Sequence, residues 1–380
     1  MRAVVALVAV LSLAACTTSH GGPAPKPPSH AASAGWHELA LPATGARVMV
    51  LTPFDGGLLA LGSVPAPAGR APAAWTTTDA TSWHRLALHP VTGYGQQAEF
   101  VMAGVAGAHI AAYGQAFGGA HSNARPTLWE GGTVGLTEHE QVFTLFGGEH
   151  AIATSDEAAR PGQVLLAGSW DEAGGGYGAA VWTSPDGATW TRYADVPGLA
   201  SGPGEQTAAD GAAATPTGFL VVGNTQRAGN GTVDTDALTW TSATGRDWTR
   251  STLPSAGPAS ATRAACDTSG CVVAGNTATA QQHLLCWSID PSGQASPAGS
   301  GPGNGLVQVR QVLAQPDRAY LLSDVDRVIR LDSVARDCTG WTSIPVPERA
   351  QDAALARLGD HLLLATTGTG SSRLWLREQG

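Results

Sequence analysis

Trp182 to Trp190 reads WTSPDGATW, two tryptophans with seven residues between them and a Pro-Asp-Gly turn at the centre. The same spacing recurs as WTTTDATSW from Trp75 to Trp83 and as WTSATGRDW from Trp240 to Trp248. A polar residue and then an arginine follow each second tryptophan, giving Arg85, Arg192 and Arg250. Seven intervening residues suit a strand, a tight turn and the opening of a second strand. Asp caps backbone amides in such turns and Gly accepts the left-handed backbone.

Upstream of each aromatic unit lies a short apolar run that ends in a small residue. The runs are LLALG to Gly62, IAAYG to Gly114, VLLAG to Gly168, FLVVG to Gly223 and CVVAG to Gly275, with weaker copies AYLLS to Ser323 and LLLAT to Thr366. Seven copies at a period of roughly fifty residues mark a propeller or an array. Nearly continuous apolar runs suit strands buried between stacked sheets, and a glycine at the strand end permits close backbone approach. A third strand follows each run, with Trp75, Trp129, Trp182, Trp240, Trp287 and Trp375 placed in these strands, and fourth strands open at Trp83, Trp190, Trp248 and Trp341. Further extended segments, such as Arg47–Leu51, Glu99–Ala103 and Val309–Leu313, precede the runs. The expectation is an all-β chain, a seven-bladed β-propeller of four-stranded antiparallel blades. The C-terminus stops after a third strand, Arg373–Leu376, whereas GWHELALP from Gly35 reads as a fourth strand without a blade. The N-terminal strand is therefore expected to complete the last blade and close the ring.

The flanking composition divides the chain. Residues 1–15 have a positive start and a short apolar run, too short to span a bilayer. Residues 16–34, rich in Pro, Gly, Ser and Ala, read as a tether that cannot fold alone. Residues 35–380 form the single propeller domain. The net charge is −9 with no basic stripe, which argues against nucleic acid as a partner. One lysine against twenty arginines reflects a high-GC genome. Leu13-Ala14-Ala15-Cys16 resembles a bacterial lipobox. That resemblance implies cleavage before Cys16, acylation of its thiol, and an extracytoplasmic protein held to the cell membrane by lipid.

Four cysteines remain. Cys266 and Cys271 bracket a DTSG turn and are expected to pair, leaving Cys286 and Cys338 to pair across adjacent blades, with buried free thiols as the alternative. No CxxC and no histidine at ligand spacing favours a metal, and no phosphate loop or GxSxG occurs, so neither metal nor cofactor is expected.

Thr183–Trp190 resembles the Asp-box repeat of sialidase-like propellers, with Ser184, Asp186, Gly187 and Trp190 as its structural residues. The other copies depart from it: Ala80 stands at the glycine position and Thr244 at the aspartate position. The box is a structural motif, so it speaks for fold and little for activity. The family's enzymes hold a carboxylate with three arginines and use a tyrosine–glutamate pair with an aspartic acid. Arg47, Arg263 and Arg310 fall near inner strands and are the candidates for that triad. The aromatic and proline that flank the family's first arginine are missing from Ala46-Arg47-Val48-Met49, and Ser63–Ala74 holds no carboxylate. A non-catalytic binding or scaffolding propeller is thus expected, monomeric, with a protein, peptide or glycan ligand of the envelope. An exo-acting sialidase-type hydrolase is one alternative. Resemblance to photosystem-assembly propellers supplies another, an assembly factor for a membrane complex. The longest loops between second and third strands are expected at Gln115–Thr127, Ser169–Gly178 and Asn224–Asp236. Trp170 fits no third- or fourth-strand tryptophan position, and is either an exposed aromatic on that face or a cap on the blade edge. Asp171, Glu172 and Tyr177 flank it, and Arg125, His121 and Arg227 come from neighbouring loops.

Overall fold

The computed structural model describes residues 35–117, 124–173, 175–229 and 231–378. Cys16, the tether and His121 lie outside the described residues. Seven four-stranded antiparallel blades stand in a ring. Their inner strands are Arg47–Phe54, Glu99–Ala106, Ala151–Arg160, Glu205–Thr215, Ala259–Asp267, Val307–Ala314 and Asp352–Leu358. Each inner strand lies against the next and the last lies against the first. Trp36–Leu39 is the outer strand of the seventh blade, pairing antiparallel with Ser372–Glu378 from Trp36 opposite Arg377 to Leu39 opposite Leu374. The expected closure is therefore present. Arg373 clamps it by donating to both carboxylate oxygens of Glu38, at 2.8 and 2.6 Å. Blade two departs from the plain pattern. Its outer strand Gly135–His139 is covered by a parallel segment, Ala87–His89, from the preceding linker.

The hydrophobic core is divided among the seams. Seven clusters of buried side chains form, each shared by two neighbouring blades. Six seams contain the third-strand tryptophan of their later blade, namely Trp75, Trp129, Trp182, Trp240, Trp287 and Trp375. Each indole brings a large apolar face and one N–H that needs a partner when buried. Trp182, Trp240 and Trp287 donate it to Leu145, Gly198 and Pro254, carbonyls of the linker entering their own blade, at 2.7, 2.7 and 2.9 Å. Hence the aromatic repeat also pins the blade-to-blade connections. Both expected disulfides are formed. Cys266–Cys271 crosses the first hairpin of blade five, and Cys286–Cys338 joins blades five and six.

The glycines that end the apolar runs have a specific cause. In blades one to six the register between inner and second strands shifts by one residue, leaving Met49, Val101, Ser155, Asp210, Thr262 and Arg310 as bulges. The second-strand residue at the bulge is Gly62, Gly114, Gly168, Gly223, Gly275 or Ser323. A Cβ on Gly62, Gly168, Gly223 or Gly275 would lie 1.8 to 2.1 Å from an inner-strand carbonyl oxygen. Blade seven has no such shift and carries Thr366 there. Gly223→Ala, whose Cβ would meet the Ala208 carbonyl oxygen at 1.8 Å, is expected to lower unfolding free energy by about 3 kcal/mol. Urea denaturation checks this, and an unchanged midpoint would show that the bulge tolerates a side chain.

Candidate functional site

An antiparallel meander places the first and third turns of every blade on one face of the ring. The second turns and the blade-to-blade linkers fall on the other face. Around the channel between them, none of the three arginine candidates is free. Arg47 pairs with Glu99 at 3.4 Å, and Glu99 also receives Arg70 at 3.5 Å and the Ser63 hydroxyl. Arg310 grips Asp324 through Nε and Nη2 at 2.9 and 2.7 Å. Arg263 crosses the ring. Its guanidinium donates to the carbonyl oxygens of Ser155, Asp210, Thr262 and Arg310, the bulge residues of four successive blades. Asp156 lies 3.9 Å from it. The channel mouth, a cavity of about 400 Å³, is lined by Met49, Met102, Gln115, Arg263, Arg310 and Asp352 among others.

Burial governs the acids here. It pushes Asp210 up to about 6 against the pull of Arg263 and of the Asn224 amide. Burial also raises Asp156, Glu157 and Asp352. Tyr113 and Tyr320 are both buried. Tyr320 packs between blades six and seven. Tyr113 accepts the Thr154 hydroxyl at 2.8 Å, and burial raises its phenol with Glu157 adding to the effect. An activated nucleophile needs the reverse shift.

A raised carboxyl stabilises the fold where it is protonated. The Asp210 contribution is full below the ordinary value of 3.8 and is lost as pH rises through about 6. Asp210→Asn keeps an acceptor for Asn224 and removes this titration. Between pH 4 and 7 the wild type should lose up to roughly 3 kcal/mol more stability than Asp210→Asn. Parallel urea midpoints across that range are the measurement, and identical pH slopes would contradict it.

The linker face of blades two and three carries a different arrangement. Glu138, on the outer strand of blade two, is buried and accepts the amides of Val91 and Thr92 at 2.6 and 2.7 Å and the Thr92 hydroxyl at 2.6 Å. Thr92 Oγ1 in turn accepts the Gly95 amide at 2.9 Å. A Cβ on Gly95 would sit 1.9 Å from Glu138, so only glycine fits this close turn. The turn presents Tyr94 to solvent. On the next linker, the short helix Phe143–Phe146 turns its two rings opposite ways. Phe146 stacks on Trp182 at 5.6 Å and meets Trp190 edge-on at 6.0 Å, while Phe143 is exposed. Arg192 fixes the helix by donating to the Thr144 and Leu145 carbonyls at 2.8 and 2.9 Å. Arg125 lies over the Phe143 ring at 5.0 Å. Thr92, Tyr94, Arg125, Glu140, Val142 and Phe143 line the resulting hollow, of about 180 Å³. Phe117, 66% exposed, follows Ala116, the strand partner of Arg125. Exposed apolar groups gathered in this way mark interaction surfaces on soluble domains.

Several sequence expectations need correction. Trp170 is only 7% exposed. It ends the second strand of blade three opposite Gly178, packs edge-on against Trp182 at 6.0 Å, and has the Arg192 guanidinium 3.8 Å above its ring. That cation closes the face that the sequence leaves open. Asp171 pairs with His150 at 2.9 Å, and Glu172 accepts the Ser201 amide at 2.8 Å. Tyr177 begins the third strand, with its carbonyl accepting from the Ser201 hydroxyl. Asn224–Asp236 contains no long loop, because Gly218–Gly229 and Thr232–Ser242 extend it as a paired ribbon. Its β-branched pairs favour strand. Arg227 sits in that ribbon, bonded to Glu205 at 3.1 Å and Asp236 at 2.5 Å, with Arg250 holding Glu205 down to about 2. Of the predicted residues, only Arg125 reaches the apolar hollow. Tyr94, Val142 and Phe143 carry no signal in the repeat because linkers have no period, and Phe117 stands within the Gln115–Thr127 segment without a spacing to mark it. The available signal was Val142-Phe143, two large apolar residues placed beyond a finished blade.

No family model and no curated protein matches the chain. Among solved structures it is similar to prolyl oligopeptidase B from Galerina marginata, at 12% identity over 90% of this chain and 49% of that one, with a TM-score of 0.51. Trypanosoma rangeli sialidase shares 14% identity over 87% of this chain and 54% of that one, with a TM-score of 0.44. A Hadza microbial sialidase shares 10% over 81% and 73%, with a TM-score of 0.46. The chain spans about half the length of the Galerina and Trypanosoma proteins. At these identities the likeness concerns fold alone.

Proposed function

We propose that this chain is a lipid-anchored, non-catalytic propeller that binds a protein partner at the cell envelope through the linker face of blades two and three. The observation that carries the reading is the aromatic hollow built from Tyr94, Arg125, Val142 and Phe143 on buried supports. Rigid aromatics and an arginine are the side chains that dominate protein interfaces. The partners already bound to Arg47, Arg263 and Arg310 favour this over sialidase-type hydrolysis, which needs guanidiniums open to a substrate carboxylate. The resemblance of Thr183–Trp190 to an Asp-box supports the same scaffold role. In that turn Asp186 Oδ1 accepts two backbone amides at 2.9 and 2.8 Å and Ser184 Oγ accepts the Gly187 amide at 2.8 Å. Anchoring through acylated Cys16, with residues 16–34 as a tether to the domain at 35–380, would hold this face near other envelope proteins. No cofactor or metal enters the proposal.

Two measurements test it. Cys16→Ala should move the protein from the membrane to the soluble fraction. In cells making the full lipidated chain, Tyr94→Ala with Phe143→Ala should cut cross-linking to the dominant envelope partner about tenfold while leaving the melting temperature unchanged. Undiminished cross-linking, or turnover of a sialoside that is lost in Arg310→Ala, would overturn the binding assignment.

A further inference from the structure

The opposite face of the ring bears a second site, at the seam between blades four and five. In blades three and four the turn between third and fourth strands sits on the preceding blade. A Cβ on Gly187 would lie 3.0 Å from Glu130 Cβ, and one on Gly245 would lie 2.9 Å from Gln163 Nε2. Hydrogen bonds lock these seats. His109 Nε2 approaches the Asp186 carbonyl at 3.1 Å, Gln163 donates to the Thr244 carbonyl at 2.6 Å, and Arg160 donates to the Ala243 carbonyl at 3.1 Å.

The corresponding turn of blade five is self-contained. Asp290 Oδ1 accepts the Ser292 amide, the Ser292 hydroxyl and the Gln294 amide at 2.8, 2.6 and 3.0 Å. Gly293 at its tip has nothing within 4 Å of a built Cβ. The unseated turn leaves a cleft of about 810 Å³. That is within the range of small-molecule sites, roughly 300–1,000 Å³.

The lining defines the ligand chemistry. Phe219, Leu220, Cys271 and Ile289 form an apolar floor beneath threonine hydroxyls. Three aspartates, Asp247, Asp267 and Asp290, reach the cleft, and no lysine, arginine or histidine lines it. Arg336 neutralises Asp267 through bonds of 2.8 and 3.1 Å. Asp247 has no such partner among the described residues, and Asp290 is exposed, its carboxyl being held below the usual range by the Ser292 hydroxyl. Asp247 and Asp290 therefore place two exposed negative charges at the rim of an apolar floor, with no lysine, arginine or histidine in the lining to balance them.

We propose that this cleft binds a small organic cation, an ammonium group on a short apolar body, with the body on Phe219, Leu220 and Ile289 and the head beside Asp247 and Asp290. No exposed aromatic ring lines the cleft to stack on a sugar, which separates this site from a glycan subsite. The test uses 4-phenylbutylammonium and its neutral analogue 4-phenylbutanol, titrated into the protein with binding followed by NMR. The ammonium should bind about tenfold tighter than the alcohol at low salt, and the difference should shrink as salt rises. Asp247→Asn should weaken the ammonium about threefold without affecting the alcohol. Thr217→Trp, on the exposed hairpin at the rim, should exclude both ligands while the melting temperature holds. Equal binding of ammonium and alcohol would overturn the cation site. So would unchanged affinity in both variants, or no saturable shift with either compound.

Discussion

The close approach of inner and second strands at the bulges is the constraint on which the rest of the molecule depends. An extra residue in an inner strand turns one carbonyl out of the ladder and toward the channel. It also brings the neighbouring carbonyl within about 2 Å of where a second-strand Cβ would stand, so glycine is required at Gly62, Gly168, Gly223 and Gly275. Repeated around the ring, this geometry leaves a collar of backbone acceptors with no sheet partner. Buried acceptors need donors, and Arg263 supplies them to Ser155, Asp210, Thr262 and Arg310 together. The arginine is consumed by the fold before any ligand arrives. Carboxyls around it are consequently crowded and desolvated, and this explains why Asp210 and Asp156 titrate high although a guanidinium stands nearby.

The same logic explains how the seams differ. Six are filled by a third-strand tryptophan, and the seam between blades five and six has none. That seam holds Cys286 and Cys338 instead. A covalent link there stands where other seams have a buried third-strand indole, with the half-buried Trp341 packed alongside. Blade six departs from the repeat elsewhere too. Ser323 takes the bulge position of glycine, and its buried hydroxyl has no partner. A missing indole and an orphaned hydroxyl both weaken this sector, and an inter-blade disulfide offsets them by restricting the unfolded chain.

Legibility followed periodicity. Paired tryptophans, apolar runs and their terminal glycines repeat with the blade, so architecture, closure by Trp36–Leu39 and both disulfides could be read from residue order. The glycines were read as close-approach positions, and the bulges supply the reason. What residue order does not show is which partner each charged side chain meets and how far a strand runs. Trp170 matches no strand position of the repeat, so residue order leaves an exposed aromatic and a blade-edge cap both open. Its cover is Arg192, a residue from the paired-tryptophan unit whose reach is invisible in one dimension. The ribbon at Asn224–Asp236 was mistaken for a loop because a second strand longer than its repeats looks like an insertion. Arg47 and Arg310 lie on inner strands. Glu99 reaches Arg47 from the next blade and Asp324 reaches Arg310 from the second strand of the same blade, pairings that residue order does not display.

The two faces then divide by how their turns are held. On the linker face, the buried Glu138 and Phe146 and the half-buried Arg192 hold the loops, which leaves Tyr94 and Phe143 exposed on fixed backbone. Preorganised aromatics lose little entropy on contact, so this face suits a broad partner. On the turn face, successive turns seat on one another until blade five, where the seat is empty and a cleft opens. A pocket created by omission from a repeat inherits an apolar floor from the seam beneath and a polar rim from the turn residues. That combination selects small amphiphiles over extended surfaces. The repeat that makes the ring regular thus makes its departures chemically distinct, and both candidate sites lie at such departures.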